Sequence, residues 1–145
     1  VEELKEIVSS TKLPFILKGI MTVEEAKLAV EIGAKAIVVS NHGGRILDHV
    51  ESSARALLEI SNAIKGKTMI LADGGIRSGV DVFKMLALGA DAVLIGRPII
   101  IGAFGGYKEG VSLVLSNMKN ELYQAMILTG SKDLTSIDTS KISIQ

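Results

Sequence analysis

The sequence predicts an α/β fold of four βα units, arranged as the second half of a TIM (β/α)₈ barrel. Short apolar runs alternate four times with segments that carry helix signals, a pattern typical of parallel strands joined by right-handed crossovers. Residues 19–40 align without a gap onto residues 75–96, and a repeat of two βα units is expected of a barrel built from duplicated units. No G-x-G-x-x-G turn follows a strand, which argues against a doubly wound dinucleotide-binding sheet.

The four apolar runs are the predicted strands. They consist of aliphatic and β-branched residues without polar alternation, as expected of strands buried on both faces in a parallel sheet. The predicted strands span residues 15–17, 36–39, 69–72 and 92–95.

Helix signals follow each run. The predicted N-caps are Ser or Thr, and two of them have an acidic residue three positions later, as in a capping box. They are Thr22 with Glu25, Ser52 or Ser53, and Ser78 with Asp81. Gly33 and Gly89 suit the ends of the first and third helices. The fourth helix shows apolar residues at helical spacing from Val111 to Met126, with Gly130 as a terminator.

The whole chain, residues 1–145, is predicted to be the C-terminal half of one barrel domain. A complete (β/α)₈ barrel needs at least about 200 residues. Four parallel strands would leave two edges open to pairing. We therefore expect the chain to need an N-terminal half-barrel or self-association. Its polar, Ser- and Thr-rich tail, residues 132–145, is expected to be mobile.

Composition excludes several classes of protein. Sixteen basic and sixteen acidic residues cancel, so no basic surplus predicts a nucleic-acid partner. The chain has no Cys, which excludes a disulfide framework and a thiolate metal site, and no metal-ligand spacing is visible. No signal peptide and no apolar run of membrane-spanning length are recognised. A cytoplasmic enzyme without a membrane span is the resulting expectation.

Candidate catalytic residues follow the first two strands, where the active sites of such barrels lie. Lys18 places a cation at the barrel mouth, where it would either face an anionic ligand or extend its head into water. His42 offers a proton acceptor near neutral pH, and the two glycines after it permit close backbone approach. Arg45 offers a planar fork that matches a carboxylate.

Candidate phosphate-binding residues follow the last two strands. Gly74 and Gly75 lead through Arg77 into a helix N-terminus, where free N–H groups and the helix dipole attract anions. Gly96 and Arg97 follow the fourth strand. A phosphate site formed by the loops after the last two strands recurs in TIM barrels. Tight turns with surface arginines are the alternative interpretation, but two such turns on neighbouring strands favour a phosphate site.

These motifs together resemble one family of flavoenzymes. Leu-Lys-Gly, Ser-Asn-His-Gly-Gly-Arg, Asp-Gly-Gly-Ile-Arg-Ser-Gly-x-Asp-Val and Gly-Arg-Pro occur in this order. Their order and spacing resemble the FMN-dependent 2-hydroxy-acid dehydrogenase and oxidase family, which includes glycolate oxidase and lactate oxidase. The resemblance extends over about residues 4–137, and the Ser-Asn-His-Gly-Gly-Arg string is its most specific part.

The resemblance implies a role for each motif. Lys18 would lie at the flavin pyrimidine edge and stabilise the anionic reduced ring, and Ser40 would contact the flavin. His42 would be the catalytic base, and Arg45 would bind the substrate carboxylate. Asp73 would orient the His or touch the ribityl chain. The FMN phosphate would be held by Gly74, Gly75, Ile76, Arg77, Gly96 and Arg97.

The resulting functional hypothesis is oxidation of a small 2-hydroxy acid, of the lactate or glycolate class, to the 2-keto acid with FMN as cofactor. The activity is expected only when the missing N-terminal half is supplied. Two alternatives stay open: another FMN- or phosphate-binding barrel with isomerase-like chemistry, and an inactive half-barrel module.

Overall fold

The structure, a computed structural model, describes residues 1–144 and has an α/β fold. Four strands pair in parallel in the order β1-β2-β3-β4, so each strand neighbours the next one along the chain. The strands are β1 (Ile16–Ile20), β2 (Ala36–Val39), β3 (Met69–Ala72) and β4 (Ala92–Val93). The helices are α1 (Glu2–Ser9), α2 (Val23–Glu31), α3 (Ser53–Ile64), α4 (Gly79–Ala87) and α5 (Arg97–Leu128).

The core lies between the sheet and helices α2, α3 and α4. Ile37, Val39, Ile70 and Ala72 are fully buried and belong to one apolar cluster with residues of these helices. Burying each large aliphatic side chain stabilises the fold by about 1.5–3 kcal/mol. Since the carboxyl ends of all four strands meet at one edge, the loops that follow them are brought together.

The prediction of strands buried on both faces holds only for β2, in which every residue is buried. In β1 and β3 burial alternates, and in β4 neither residue is buried. Ile16, Ala36 and Met69 form one cross-strand row, in which only the central Ala36 is buried. The helices of the core cluster pack on the opposite face of the sheet. Within residues 1–144, no element covers Ile16 and Met69 on this face.

The predicted helix starts are confirmed. Thr22 with Glu25 and Ser78 with Asp81 each form a complete capping box, and Ser52 caps α3. Gly33 and Gly89 follow the ends of α2 and α4 with φ of +86° and +108°. The 19–40 and 75–96 repeat is therefore also a structural repeat, with the same caps and the same glycine stops.

Helices α1 and α5 differ from the sequence analysis. Helix α1 was not predicted. Helix α5 begins at Arg97, well before Val111, and its backbone turns at Gly106 and Tyr107, where the dihedral angles are not helical. A Cβ atom on Gly110 would collide with the backbone of Gly102, so the two arms of α5 pack directly against each other.

Length and composition alone would allow α5 to cross a membrane, which the sequence analysis did not anticipate. Its most apolar stretch has a mean hydropathy of 1.2, and only 6% of that stretch is buried. The turn at Gly106 and Tyr107 divides the segment, so it does not form one straight helix of 32 residues.

The C-terminal segment, expected to be a mobile tail, contains local structure within residues 132–144. Two short 3₁₀ helices lie at Leu134–Ser136 and Thr139–Lys141. Ile137 is buried against Phe83 and Ala87 of α4, and Ile142 packs on the same cluster. Gln145, the last residue of the predicted tail, lies outside the described residues.

Candidate active site

Three strand ends bring Lys18, Ser40 and Asp73 into one cluster. The Lys18 Nζ donates a hydrogen bond to Ser40 Oγ at 2.7 Å and lies 2.8 Å from Asp73 Oδ2. Ser40 is buried, whereas the Lys18 side chain is 43% exposed at the edge of the sheet where the strands end. The ammonium group is thus held by two partners on neighbouring strands. Asp73 pairs with Lys18 rather than with His42.

His42 lies in a left-handed turn that follows β2. Its φ is +55°, and Gly43 and Gly44 follow with +69° and +71°. The His42 backbone N–H donates to Ser40 Oγ at 3.2 Å, and Asn41 Oδ1 accepts from the Gly43 N–H at 3.0 Å. A positive φ is strained for a histidine and persists only where the surroundings enforce it. The surroundings of His42 therefore hold this turn in its left-handed conformation.

Arg45 follows the same turn and is exposed. Its Nε donates a long 3.4 Å hydrogen bond to the His42 carbonyl oxygen, which places both side chains on one loop. Among the ion pairs of residues 1–144, none involves Arg45. Its guanidinium fork is consequently available for a carboxylate from outside the chain.

The backbone donors at the start of α4 are occupied by carboxylates of the chain itself. The N–H groups of Arg77 and Ser78 donate to Asp81 Oδ2 at 3.0 and 3.1 Å, and the Gly79 N–H donates to Glu121 Oε2 at 2.6 Å. These donors at the helix N-terminus are therefore already satisfied by carboxylates of the chain. What the sequence could not show is that Glu121, 42 residues later, reaches back to α4.

The same hydrogen bonds affect the pKa of the Asp81 carboxyl. Partial burial raises its pKa, but the N–H groups of Arg77 and Ser78 and the Ser78 hydroxyl favour the charged form more strongly, so the pKa lies below its ordinary value. The carboxylate is therefore ionised at neutral pH, and an added phosphate would be repelled from this helix start.

Unused backbone donors lie earlier in the same loop, between the end of β3 and Arg77. No hydrogen bond within residues 1–144 uses the N–H groups of Gly74, Gly75 or Ile76. Gly74 and Gly75 have φ of +99° and +73°, and a Cβ atom on Gly75 would meet nothing within 4 Å. Gly75 therefore leaves an open backbone surface beside unused N–H donors, of the kind that binds phosphate.

Arg77 and Arg97 add charge beside this surface. Neither forms an ion pair within residues 1–144, although one Arg77 Nη donates to the Ile76 carbonyl at 3.2 Å. A Cβ atom on Gly43 would lie 3.2 Å from an Arg97 Nη, so this guanidinium rests against the turn that carries His42. The structure thus brings the predicted phosphate and catalytic residues together at one edge of the sheet.

Two clefts flank the His42 turn. One, of about 310 Å³, is lined by Gly19, Met21, Ser40, His42 and Ile46 among others. The other is a groove of about 1470 Å³ that begins at Gly43, Gly74 and Arg97 and continues along α3 and α4.

Two residues of the site were not assigned by the sequence analysis. Asn41 bridges the Gly43 N–H and, through its Nδ2 at 3.2 Å, the Glu51 carbonyl. Ser53 donates to the Asp73 carbonyl and lies so close to Gly74 that a Cβ there would come within 2.6 Å of its Oγ. The only sequence signals were the place of Asn41 within the motif and of Ser53 at a helix start.

The comparisons with known proteins agree with this geometry. The model of the FMN-dependent dehydrogenase family matches residues 1–144, so the chain belongs to this family. The chain is 52% identical to the L-lactate oxidase of Nostoc sp. over 139 residues, which cover 96% of this chain and 38% of that protein. It is 49% identical to the 2-hydroxyacid oxidase 2 of Bos taurus, covering 97% of this chain and 40% of the relative.

A solved structure of mandelate oxidase superposes with a TM-score of 0.91 at 43% identity, covering 95% of this chain and 42% of that one. Another mandelate oxidase structure contains a monooxide FMN adduct and superposes with a TM-score of 0.90. The chain therefore spans about two fifths of the length of the relatives it matches.

The residues present fit an FMN group. The buried Ser40 Oγ accepts hydrogen bonds from Lys18 and His42, and no acceptor within residues 1–144 takes its hydroxyl hydrogen. The loop at Gly75 leaves space that a side chain would fill. A buried donor and a cationic, donor-rich loop match the carbonyl acceptors and the phosphate of this cofactor.

Proposed function

We propose that this chain is the second half of a (β/α)₈ barrel that oxidises a small 2-hydroxy acid to the 2-keto acid with bound FMN. The observation that carries the proposal is the placement of His42 and Arg45 on one turn beside the Lys18–Ser40–Asp73 cluster. A proton acceptor, a carboxylate fork and a held cation thereby meet at one edge of the sheet.

Each residue has a distinct task. Arg45 binds the substrate carboxylate through its planar fork and fixes the orientation of the hydroxyl-bearing carbon. An imidazole nitrogen of His42 accepts one of the two protons that the substrate loses. FMN, when bound, would supply the acceptor for the two electrons and the other proton. The Lys18 ammonium stabilises negative charge that develops beside it.

The loops after β3 and β4 would anchor the cofactor. The N–H groups from Gly74 to Ile76 and the guanidinium groups of Arg77 and Arg97 would hold the phosphate. Ser40 would donate its hydroxyl hydrogen to the flavin. Lys18 and Asp73 would lie beside the ring and the ribityl chain respectively.

Activity depends on completion of the sheet. β1 and β4 each lack a neighbour on their outer side within residues 1–144, and Ile16, Met69 and Leu94 are exposed. Unpaired strand edges and exposed apolar side chains favour association. Either an N-terminal half-barrel or a second copy of this chain would cover them. We use the term completed enzyme for the chain in either assembly.

The test compares the chain alone with the chain joined to the N-terminal part of the Nostoc L-lactate oxidase. We expect the joined protein to bind FMN, and L-lactate, glycolate or mandelate to bleach the flavin absorbance without oxygen. Light scattering on the chain alone should show dimers or aggregates with little flavin. A completed enzyme that binds FMN but is reduced by none of the three acids refutes the proposed reaction. A monodisperse, flavin-loaded, active monomer refutes the need for completion.

A further inference from the structure

Strand β1 carries a bulge at Gly19, directly beside the His42 turn. Lys18 pairs with Val38 and Ile20 pairs with Val39, so Gly19 is one extra residue between two consecutive partners. Bulges next to active sites commonly redirect a side chain. The bulge leaves Gly19 with a φ of +99°, a conformation that residues with a Cβ adopt only with strain.

The imidazole of His42 rests on the bare backbone of this bulge. A Cβ atom on Gly19 would lie 3.1 Å from His42 Cε1 and 3.9 Å from its Nδ1. Carbon atoms in favourable contact are about 3.5–4.0 Å apart. A methyl group at Gly19 would therefore require the ring to move.

The backbone of His42 is not free to move with the ring. It is held in a left-handed conformation, and its N–H is bonded to Ser40 Oγ. Ser40 is 1% exposed and is bonded to Lys18 as well. The ring would thus be displaced by rotation of its own side chain, which changes the direction in which its nitrogen atoms point.

We propose that Gly19 is a positioning residue for His42: the absence of a side chain at the bulge determines where the imidazole lies and where it presents its proton-accepting nitrogen. The inference rests on the proposed function, in which His42 takes a substrate proton. Proton transfer requires heavy atoms within about 2.6–3.2 Å. A displacement of about 1 Å can lower the rate on the order of a hundredfold, and the few tenths of an ångström that the ring must give here should lower it less.

The first experiment introduces Gly19→Ala into the completed enzyme, with Gly66→Ala as the matched control. Gly66 also has a positive φ, of +83°, but a Cβ there would meet nothing within 4 Å. Backbone strain is therefore common to both variants, and only Gly19→Ala adds a contact with the imidazole.

For Gly19→Ala we expect kcat to fall by about twofold to tenfold, because the ring must shift by only a few tenths of an ångström. We also expect a shifted pH profile of kcat/KM, with KM and FMN affinity within about twofold of the parent protein. Gly66→Ala should lower thermal stability and leave kcat and the pH profile unchanged. A Gly19→Ala protein that matches the Gly66→Ala protein in both kcat and pH profile overturns the inference.

The second experiment measures stability and needs no turnover. The extra destabilisation by Gly19→Ala, relative to Gly66→Ala, should largely disappear when His42→Ala removes the ring. Equal destabilisation in both backgrounds, or failure to fold in both, overturns the inference. A completed enzyme that oxidises no 2-hydroxy acid refutes the proposed function alone, because this coupling between Gly19 and His42 is measured independently of it.

Discussion

Replacing Arg97 by Met should weaken FMN binding without weakening riboflavin binding. The Arg97 guanidinium lies against Gly43 and forms no ion pair within residues 1–144, so its removal leaves no buried partner unpaired. The lost interaction is then that with the phosphate, the group that distinguishes FMN from riboflavin. A hydrogen bond to a charged group contributes about 1.5–3 kcal/mol. Since about 1.4 kcal/mol corresponds to a factor of ten, FMN affinity should fall about 10- to 150-fold.

The assay is a titration of the completed enzyme with each flavin, followed by quenching of flavin fluorescence. Arg55→Met is the matched control, because Arg55 pairs with Glu51 at 3.1 Å on the exposed surface of α3. The control should leave both affinities unchanged. Parent protein that binds riboflavin as tightly as FMN, or an Arg97→Met protein that loses both flavins equally, would show that Arg97 does not contact the phosphate.

Four further predictions concern single side chains. His42→Ala should abolish reduction of the flavin by substrate and leave FMN bound, and normal flavin reduction in this variant would exclude His42 as the base. Arg45→Lys should raise KM and lower kcat, because a point charge does not replace a bidentate fork. Stopped-flow measurement of flavin reduction tests both variants. Lys18→Met should lower the flavin midpoint potential, since a cation favours the anionic reduced ring; an unchanged midpoint in a redox titration would place the ammonium away from the flavin. Asp81→Asn should lower the denaturant midpoint at pH 7. Because the folded-state pKa of Asp81 lies below its unfolded value, this contribution is present above the unfolded value and disappears as pH falls through the folded value, so the difference between parent and variant should shrink as the pH is lowered. A difference that persists at low pH contradicts this role.

Local patterns predicted most of the fold. The capping boxes at Thr22 and Ser78 and the stops at Gly33 and Gly89 depend on residues three or four positions apart, so the sequence shows them directly. The turn within α5 was missed because Gly106 is one of many glycines in an otherwise apolar helical pattern.

Burial was predicted less well because it depends on neighbours that the sequence pattern does not locate. The apolar run Met69–Ala72 is typical of a strand covered on both faces, yet Met69 is exposed where no element of residues 1–144 packs. The polar segment 132–144 resembled a loose tail, yet Ile137 is buried against α4 and Ile142 packs on the same cluster.

The site was predicted as a set of residues, but its pairings were not. Motif order indicates that Lys18, Ser40 and Asp73 end neighbouring strands, whereas the choice of Lys18 rather than His42 as the partner of Asp73 depends on side-chain directions. The satisfied N–H groups at the start of α4 depend on Glu121, which no local pattern connects to Gly79.

Each strand of this sheet pairs only with its neighbours along the chain. The stability of the sheet therefore resembles that of a short repeat array. In such an array the terminal unit gains an interface on one side only and opens at the lowest free-energy cost. The two terminal strands are β1 and β4, and β4 has the shorter ladder, with Leu71 opposite Ala92 and Ala72 opposite Val93. The loop that carries Arg97 is thus attached to the least protected strand. A phosphate bound to this loop would stabilise β4 against opening. Slower hydrogen exchange of the Leu94 amide, which donates to the Ala72 carbonyl, would report this stabilisation.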